Sequence, residues 1–404
     1  MAQSADVIVI GAGVVGSSVA YYLACRGARV TLMEQEAIGS GASAHATGSL
    51  SLLGTEFSQG ASFELALAGY REFPQLVSCL EEETGMDLLF QRRPSLRLAL
   101  DSEEERLIRD LMDWQQKHVE MKWIDGEEVC RIEPRLSSQI MGAVYENESA
   151  QLDSYRLNLA LARAAELKGV NIQLRRVTGL IGHPRVAGVC TASGDFPCDT
   201  VVVAAGTWSR TFEKWLDFPV PVRPLKGERL MLRYHGEPLP VLLSSPKRGH
   251  MISRLDGLLS VGSTGGRDYD DQELFLGEEN DRQPTEAAKV ELLQRAVDVF
   301  PDLVDAQLVH QLAGFRPLSP DRQPIIGPVY GREGVMLATG HTTKGIHLGP
   351  ITGRIIADYI FQGSTDAIAE MEAFLPDRFA NPSTGSGQAL AQTDFYASSQ
   401  RVEE

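Results

Sequence analysis

The start of the chain combines two short apolar runs with a helical segment between them. Residues 6–10 (DVIVI) form a β-branched run that is typical of a buried strand. Residues 29–33 (RVTLM) form a second such run, which ends at Glu34, and residues 14–25 between them read as a helix. The pattern therefore predicts a strand–helix–strand unit at the start of the chain.

Three glycines, Gly11, Gly13 and Gly16, stand between the first strand and the helix with the spacing GxGxxG. Gly11 permits a tight turn, Gly13 lets a pyrophosphate approach the backbone, and Gly16 lets the helix pack on the strand. The positive end of the helix would face the phosphates, and Glu34 would accept hydrogen bonds from a ribose diol. The unit predicts a dinucleotide site but does not separate NAD from FAD.

Similar patterns continue along the chain. Strand patterns occupy residues 88–100, 199–206, 227–234 and 257–264, and an amphipathic helix pattern occupies 102–119. Asp153 and Ser154 are capping residues, so a further helix is expected to begin there. The last segment, 381–404, is polar and rich in Gly and Ser, so we expect a mobile tail.

The composition is that of an ordinary globular enzyme, with 43% hydrophobic and 23% charged residues. A length of 404 residues allows two domains or one large interleaved domain. The formal net charge of -16 argues against a nucleic-acid partner, since phosphate binding needs clustered Lys and Arg.

The five cysteines show neither a CxxC pair nor metal-ligand spacing, so we expect reduced thiols and no metal site. The first five residues carry no basic segment, and the apolar run after them is too short to span a membrane. The sequence therefore predicts a cytoplasmic protein without a transmembrane segment.

Three later segments place the N-terminal unit in a wider pattern. They are DTVVVAAGTWS (199–209), LAGFRPLSPDRQPIIGPV (312–329) and GVMLATGHTTKGIHLGPITGRIIADYI (334–360). With the glycine motif, this order resembles the FAD-dependent D-amino-acid oxidase superfamily, and it is most similar to the glycine oxidase and sarcosine oxidase-like branch. That branch includes hydrogen cyanide synthase subunits and opine or hydroxyproline dehydrogenase subunits. The resemblance runs from about residue 5 to residue 378.

The resemblance implies an α/β fold with two domains. A discontinuous, Rossmann-like FAD-binding domain would comprise residues 1–80, 148–222 and 312–380. An α+β substrate domain built on an antiparallel sheet would comprise residues 81–147 and 223–311.

The resemblance also implies an enzyme that oxidises the C–N bond of a small amino or imino acid to an imine, by hydride transfer to flavin N5. The cofactor supplies the difficult chemistry, so the protein must hold the carboxylate and aim the α-carbon. Arg316, in AGFRP, matches the glycine oxidase arginine, and a guanidinium grips a carboxylate with two parallel hydrogen bonds. We therefore expect Arg316 to bind the substrate, with a surface salt bridge as the alternative.

The expected catalytic residues are Arg316, His250 and His341. His250 stands where glycine oxidase has a tyrosine, so the resemblance does not carry glycine over as the substrate. Ser260 stands where monomeric sarcosine oxidases have the lysine that promotes reaction with oxygen, so efficient oxidase behaviour is not carried over either. His341 either contacts the flavin or is a structural histidine.

Further residues are expected to contact the cofactor, by motif and by resemblance. They are Gly11, Gly13, Val14, Val15, Gly16, Glu34, Gln35, Ser43, Ala44, His45, Thr47, Gly48, Val177, Ala205, Gly206, Trp208, Thr343, Lys344, Gly345 and Ile346. For Val177, a backbone bond to adenine and an ordinary strand position both stay open.

His45 lies in GASAHATG (41–48), which resembles a loop of dimethylglycine dehydrogenase relatives whose histidine is bonded covalently to the flavin. Glycine oxidase has alanine in that position, so the fold does not require the histidine. We expect non-covalent FAD that His45 packs against, and a covalent link at His45 is the alternative.

Three functions remain open under this resemblance. The first is an FAD-dependent amino acid oxidase, whose partners are a small amino- or imino-acid substrate and oxygen. The second is the FAD subunit of an amino acid, opine or hydroxyproline dehydrogenase that passes electrons to a partner subunit or a quinone. The third is a non-catalytic flavoprotein subunit. Either a homo-oligomer or a hetero-oligomer is compatible with each.

Overall fold

The computed structural model describes residues 5–54, 57–264 and 282–380. The tail predicted over 381–404 lies outside these residues. The strands are β1 (Ala5–Ile10), β2 (Val30–Glu34), β3 (Ser49–Leu50), β4 (Gln91–Arg92), β5 (Ser95–Ala99), β6 (Met121–Asp125), β7 (Gly142–Glu146), β8 (Ala150–Gln151), β9 (Asn171–Leu174), β10 (Val177–Ile181), β11 (Gly188–Thr191), β12 (Gly194–Val203), β13 (Arg223–Arg233), β14 (Leu242–Ser245), β15 (Gly249–Ser253), β16 (Leu259–Gly262), β17 (Gln307–Leu318), β18 (Ile325–Pro328) and β19 (Val335–Thr339). The helices are α1 (Val14–Cys25), α2 (Ala61–Thr84), α3 (Ser102–Gln115), α4 (Gly126–Ile132), α5 (Ser154–Leu167), α6 (Glu213–Leu216), α7 (Glu286–Val299) and α8 (Gly345–Gln362). Short 3₁₀ turns span Ser43–His45, Gly206–Phe212, Pro301–Asp305, Met371–Phe374 and Pro376–Phe379.

The first large sheet has a parallel centre. β1 pairs in parallel with β2 on one side and with β12 on the other, and β9 and β19 extend the parallel order outward. β10, β11 and β18 add antiparallel pairs at the ends. The predicted strand–helix–strand unit is confirmed as β1, α1 and β2. Because parallel strands end at one edge, the loops that follow β1, β2, β12 and β19 meet there.

The apolar runs of the first sheet follow from burial on both faces. Val7 and Val9 of β1 face a core shared with helices α1, α2, α5 and α8. Ile8 and Ile10 face a second core on the opposite side of the sheet. A strand covered on both faces reads as a continuous apolar run rather than as an alternating one, which is the pattern of residues 6–10.

The second large sheet has the order β17-β13-β16-β15-β14-β5-β7-β6. Its neighbouring strands are antiparallel, except for the parallel pair β14 and β5. Leu230 and Leu232 of β13 pack with Leu292 and Ala296 of α7 in one core. Successive strand residues point to opposite faces, so Gly227 and Arg229 of β13 face away from α7.

Strand β17 crosses the predicted domain boundary between residues 311 and 312, so Arg316 belongs to the antiparallel sheet. The division of the chain into the two predicted domains stays a prediction. A small third sheet, β3-β8-β4, lies apart from the two large ones.

The predicted helix start at Asp153 is confirmed, because its side chain accepts a hydrogen bond from the Arg156 N–H at the first turn of α5. The helix predicted over 102–119 ends at Gln115 and is followed by a tight turn. In residues 5–54, 57–264 and 282–380, no helix combines the length and apolar character needed to cross a membrane.

Candidate active site

A cavity of about 630 Å³ is lined by residues of both large sheets. One part of its wall is made by the loops at the carboxyl edge of the first sheet, after β1, β2, β12 and β19. Another part is the face of β13, β15 and β17 that points away from α7. The two sheets therefore build one continuous chamber, with a parallel-sheet end and an antiparallel-sheet end.

The glycine turn lies at the parallel-sheet end. Gly11 has φ 103°, and a Cβ atom there would lie 2.5 Å from the Ala204 carbonyl oxygen, so only glycine fits. A Cβ atom on Gly16 would lie 1.8 Å from the Gly11 carbonyl oxygen, so the absence of a side chain lets the first turn of the helix approach the glycine turn closely.

Gly13 differs from the other two glycines because a Cβ atom added there would meet no backbone atom within 4 Å outside its chain neighbours. It has φ -72° and ψ 176°, which any residue adopts. A Cβ atom there would meet only Ser43 Oγ, at 3.3 Å, apart from its chain neighbours. Gly13 lines the cavity, so its missing side chain leaves room for a group that approaches the backbone closely. This open cradle fits the pyrophosphate of a dinucleotide.

Glu34 and Ser43 are fixed beside this cradle. Glu34 Oε2 accepts a hydrogen bond from the Ala12 N–H at 2.8 Å, and Oε1 accepts one from the Glu36 N–H at 3.0 Å. Ser43 Oγ accepts a hydrogen bond from the Val14 N–H at 3.0 Å, at the N-terminus of α1. Each carboxylate oxygen of Glu34 keeps accepting capacity for a ribose diol.

Most of the residues predicted to contact a cofactor line this cavity. They are Gly11, Gly13, Val14, Val15, Glu34, Gln35, Ser43, His45, Thr47, Val177, Ala205, Gly206, Trp208, Thr343, Gly345 and Ile346. Gly16, Ala44, Gly48 and Lys344 are not part of the lining.

The residues that miss the cavity have local structural roles. A Cβ atom on Gly48 would lie 2.0 Å from the Leu152 carbonyl oxygen, so this glycine allows two chain segments to pass closely. Lys344 Nζ donates to the Arg322 carbonyl at 2.8 Å, which directs the side chain away from the chamber.

Arg316 lies on β17 at the antiparallel-sheet end. Its Nη2 donates to Ser263 Oγ at 2.8 Å, and its Nη1 donates to the Thr264 carbonyl at 3.1 Å. The guanidinium lies over Gly227 of β13, where an added Cβ atom would be 2.3 Å from the Arg316 Cζ. Gly227 therefore provides the space that the guanidinium occupies.

His250 lines the same end of the cavity from β15. Burial, together with the positive charges of Arg229 and Arg316, lowers the pKa of its imidazole to about 3. Its Nε2 is buried and has no hydrogen-bond partner in the described part of the chain. The ring is neutral at physiological pH and has one ring nitrogen available for a ligand.

Arg229 of β13 is a cavity residue that the sequence reasoning missed. Its side chain is buried, with 7% of the residue exposed, and its Nη1 donates to Ser260 Oγ at 3.3 Å. Burial lowers the pKa of the guanidinium to about 10, and the nearby Arg254 adds to this effect. The sequence feature that could have indicated Arg229 is the strand alternation in GERLMLR, because it places Arg229 on the same face as Gly227.

His341 lines the cavity but is tied to its own loop. It is 1% exposed, and its Nε2 lies 2.9 Å from Thr352 Oγ1 of α8. Burial lowers the pKa of the ring to about 3, and Lys344 adds to the effect. The neighbouring Thr342 has φ 51°, a strained value for a β-branched residue. This geometry favours a structural role for His341, in holding the loop before α8.

His45 ends the short 3₁₀ turn and lies against β17. A Cβ atom on Gly314 would be 3.3 Å from His45 Cβ, so the missing side chain leaves space for the imidazole. Burial lowers the pKa of His45, and the positive charges of Arg229 and Arg282 act in the same direction. His45 therefore lines the chamber, and the lowered pKa favours its neutral imidazole.

Because three histidines are buried in the neutral form, we expect the free energy of unfolding to fall in mild acid. The folded-state pKa is about 3 for His250, about 3 for His341 and about 4 for His347, against roughly 6.5 in an unfolded chain. Between these values the unfolded chain binds more protons, so the free energy of unfolding rises with pH and falls as the solution is acidified. Each histidine contributes up to about 1.4 kcal/mol per pH unit in this window.

The variant His347→Gln tests this expectation outside the cavity, since His347 Nε2 pairs with the Ala66 carbonyl at 2.8 Å and a glutamine also donates there. Urea unfolding at pH 6 and pH 5 should show that the variant loses about 1 kcal/mol less than the parent. An equal loss in both proteins would mean that His347 is not held neutral in the fold.

Comparisons with known proteins agree with this architecture. The profile of the family described as "DAO: FAD dependent oxidoreductase" matches residues 6–359. A glycine oxidase from Pseudomonas aeruginosa is 34% identical over 361 residues, which cover 88% of this chain and 94% of that protein. Hydrogen cyanide synthase subunit HcnC, also from Pseudomonas aeruginosa, is 30% identical over 94% of this chain and 97% of its own length. The crystal structure of glycine oxidase from Geobacillus kaustophilus superposes with a TM-score of 0.85 at 28% identity, covering 93% of this chain and 99% of that one.

The family profile spans most of the chain, and the cradle at Gly13 with the acceptor at Glu34 fits the dinucleotide cofactor that the profile names. The resemblance seen in the sequence is thereby confirmed, as is the α/β fold with an antiparallel second sheet. The chain belongs to the DAO family of FAD-dependent oxidoreductases.

Proposed function

We propose that this protein oxidises the C–N bond of a small amino or imino acid to an imine, and that Arg316 holds the substrate carboxylate. The observation that supports this most directly is the placement of a fixed guanidinium in the same chamber as the dinucleotide cradle. FAD, when bound, supplies the hydride acceptor for such a reaction. The relatives named glycine oxidase add support for an amino-acid substrate.

Arg316 is prepared to bind a carboxylate before the substrate arrives. Hydrogen bonds to Ser263 Oγ and to the Thr264 carbonyl restrict the guanidinium, so less conformational entropy is lost on binding. A planar guanidinium forms two parallel hydrogen bonds with a carboxylate, which fixes both the position and the orientation of the substrate. In our proposal this contact aims the α-carbon toward the cofactor.

The charges at the antiparallel-sheet end favour the neutral amine that hydride loss requires. Arg229 and Arg316 are both cationic near a substrate nitrogen, and like charges lower the pKa of an ammonium group. His250 is neutral, and its unpaired Nε2 lies in this region. We assign His250 to hydrogen bonding with the substrate, where either tautomer of the ring has a suitable partner in an amine.

The loop from Gly340 to Gly345 is assigned to the flavin. Thr343, Gly345 and Ile346 line the cavity at the start of α8, where backbone N–H groups carry partial positive charge. Such a helix start stabilises negative charge that develops on a neighbouring ring system. In this assignment the His341–Thr352 contact keeps the loop in place.

The electron acceptor is oxygen in an oxidase, and a partner subunit or a quinone in a dehydrogenase. Monomeric sarcosine oxidases have a lysine that promotes reaction with oxygen at the position of Ser260. Here Ser260 is fully buried and its hydroxyl accepts a hydrogen bond from Arg229. Oxygen consumption and dye reduction should be measured in parallel on the isolated chain with a panel of amino acids. Turnover with dye alone would assign the dehydrogenase alternative, and turnover with oxygen would assign the oxidase.

The compartment of the protein also belongs to this proposal. All five cysteines are free thiols in the fold, which supports a reducing compartment such as the cytoplasm. A non-catalytic flavoprotein subunit would have no use for a carboxylate-binding arginine in the chamber wall, so we do not favour that alternative.

His45 gives a direct test of how the cofactor is held. The neutral imidazole facing the chamber is able to pack against the flavin or to bond to it through a ring nitrogen. We expect acid precipitation to release all flavin into the supernatant, as non-covalent packing requires. Flavin that stays with the pellet in the parent protein, but not in His45→Ala, would instead establish a covalent link.

A further inference from the structure

Arg229 is a buried cation in the substrate end of the chamber, and the proposed reaction gives it no direct contact with the substrate. In the part of the chain that the structure describes, no carboxylate lies within ion-pair distance of its guanidinium, and its Nε has no hydrogen-bond partner. Only 7% of the residue is exposed. A buried, unpaired charge is costly, and a ligand of opposite charge in the chamber would offset that cost.

The second observation is the position of Arg229 relative to Arg316. The Arg316 guanidinium lies over Gly227, and Arg229 is two residues further along the same strand and on the same face. A strand rises about 3.3 Å per residue, so the two positions are about 7 Å apart along β13. His250 lies beside them, because its ring and the Arg229 Cβ both border the missing side chain of Gly262.

The acidic side chain closest in sequence does not neutralise Arg229. Glu228 alternates with Arg229 along β13 and also lines the cavity, but its carboxylate accepts hydrogen bonds from the Thr285 N–H and hydroxyl and from the Gln311 amide. Arg254, Asp153 and Asp256 are the charged groups of other elements that act on the pKa of Arg229, and Arg254 itself pairs with both aspartates. The positive charge of Arg229 is therefore directed to the chamber.

We propose that Arg229 binds a second anionic group of the substrate, so that the preferred substrates are amino or imino acids with two carboxylates. This inference rests on the proposed function, in which Arg316 binds the first carboxylate. The second carboxylate belongs either to the side chain, as in aspartate or glutamate, or to the substituent on nitrogen, as in iminodiacetate. Arg229 would bind a carboxylate in both cases.

Unreactive ligands test this without turnover. Isothermal titration calorimetry on the flavin-loaded protein should compare malonate, succinate and glutarate with propionate, butyrate and valerate. We expect at least one dicarboxylate to bind about 10- to 100-fold more tightly than the monocarboxylate of equal carbon number, as a charged hydrogen-bond pair provides. Arg229→Met should remove this preference, and Arg229→Lys should keep part of it.

The matched control is Arg332→Met. Arg332 is also buried, at 4% exposure, but it donates to the Gly182 carbonyl and does not line the cavity. This control should keep the dicarboxylate preference. Loss of the preference in both methionine variants, or an equal loss of affinity for monocarboxylates and dicarboxylates in Arg229→Met, would overturn the proposal.

The two sources of the second carboxylate are separated by anaerobic flavin reduction. Aspartate and glutamate of both hands should be compared with iminodiacetate, and sarcosine serves as the monocarboxylate reference. If sarcosine or another monocarboxylate reduces the flavin while no dicarboxylate binds more tightly, this inference fails and the proposed function stands. If dicarboxylates bind through Arg229 but no amine reduces the flavin, the anion site stands and the proposed function fails.

Discussion

Replacing Arg316 with leucine is expected to lower kcat/KM for the best amino-acid substrate about 10- to 150-fold while the flavin stays bound. A hydrogen bond to a charged group contributes about 1.5–3 kcal/mol, which corresponds to this range of rate loss. The guanidinium lies in the chamber wall at the antiparallel-sheet end, away from the glycine turn that holds the dinucleotide in our account. The loss should therefore affect the substrate and not the cofactor. Steady-state kinetics normalised to flavin content measure it.

Two further variants make this result specific. Arg316→Lys keeps the charge but loses the planar pair of donors, so it should recover only part of the lost activity. Arg233→Leu makes the same type of change at an exposed position of the neighbouring strand β13, and its kinetics should equal those of the parent. Full turnover per flavin in Arg316→Leu, together with loss of FAD, would mean that Arg316 stabilises the fold instead of the substrate.

Replacing Gly13 with valine should raise the apparent Kd for FAD by at least about 10- to 100-fold. The backbone at Gly13 accepts a side chain without strain, so the fold itself should survive. The added methyl groups would occupy the open cradle and press on Ser43 Oγ, which is only 3.3 Å from the Cβ position. Losing one charged hydrogen bond to a phosphate is enough for an effect of this size. Flavin absorbance per protein after purification, and reconstitution with FAD, measure the loss.

The control for this variant is Gly179→Val in strand β10. A Cβ atom there makes ordinary contact with Cys190, at 3.6 Å, and Gly179 does not line the cavity. This variant should purify with full flavin, and Gly13→Ala should be intermediate. A Gly13→Val protein with the flavin content of the parent would show that the phosphates do not lie at this turn.

The N-terminal unit was predictable because its signals are local. Glycine spacing, the apolar run before it and the acidic residue after it lie in one short segment, and the steric demands at Gly11 and Gly16 are visible in the structure. The ribose contact of Glu34 stays a prediction. The cap at Asp153 was predictable for the same reason. The end of a helix is less well predicted than its start here. The helix predicted over residues 102–119 ends at Gln115.

Strand alternation alone places Arg229 on the same face as Gly227, but it does not show which other side chains lie near Arg229, because that depends on strand register. β13 pairs with β16 and β17 from distant parts of the chain, and only that pairing brings Arg229 near His250 and the Arg316 guanidinium. Lys344 shows the opposite case. Its motif suggested a flavin contact, but the turn before α8 directs its amine to the Arg322 carbonyl.

The central claim is that one chamber holds FAD at its glycine turn and an amino acid at Arg316. Anaerobic titration of the purified protein with amino and imino acids, read by the visible absorption of the flavin, tests it most directly. We expect a yellow protein whose flavin is bleached by at least one such substrate, and whose Arg316→Leu variant needs a substrate concentration about 10-fold higher or more for the same bleaching. A yellow protein that no amino or imino acid reduces, or a variant that is bleached as readily as the parent, would contradict it.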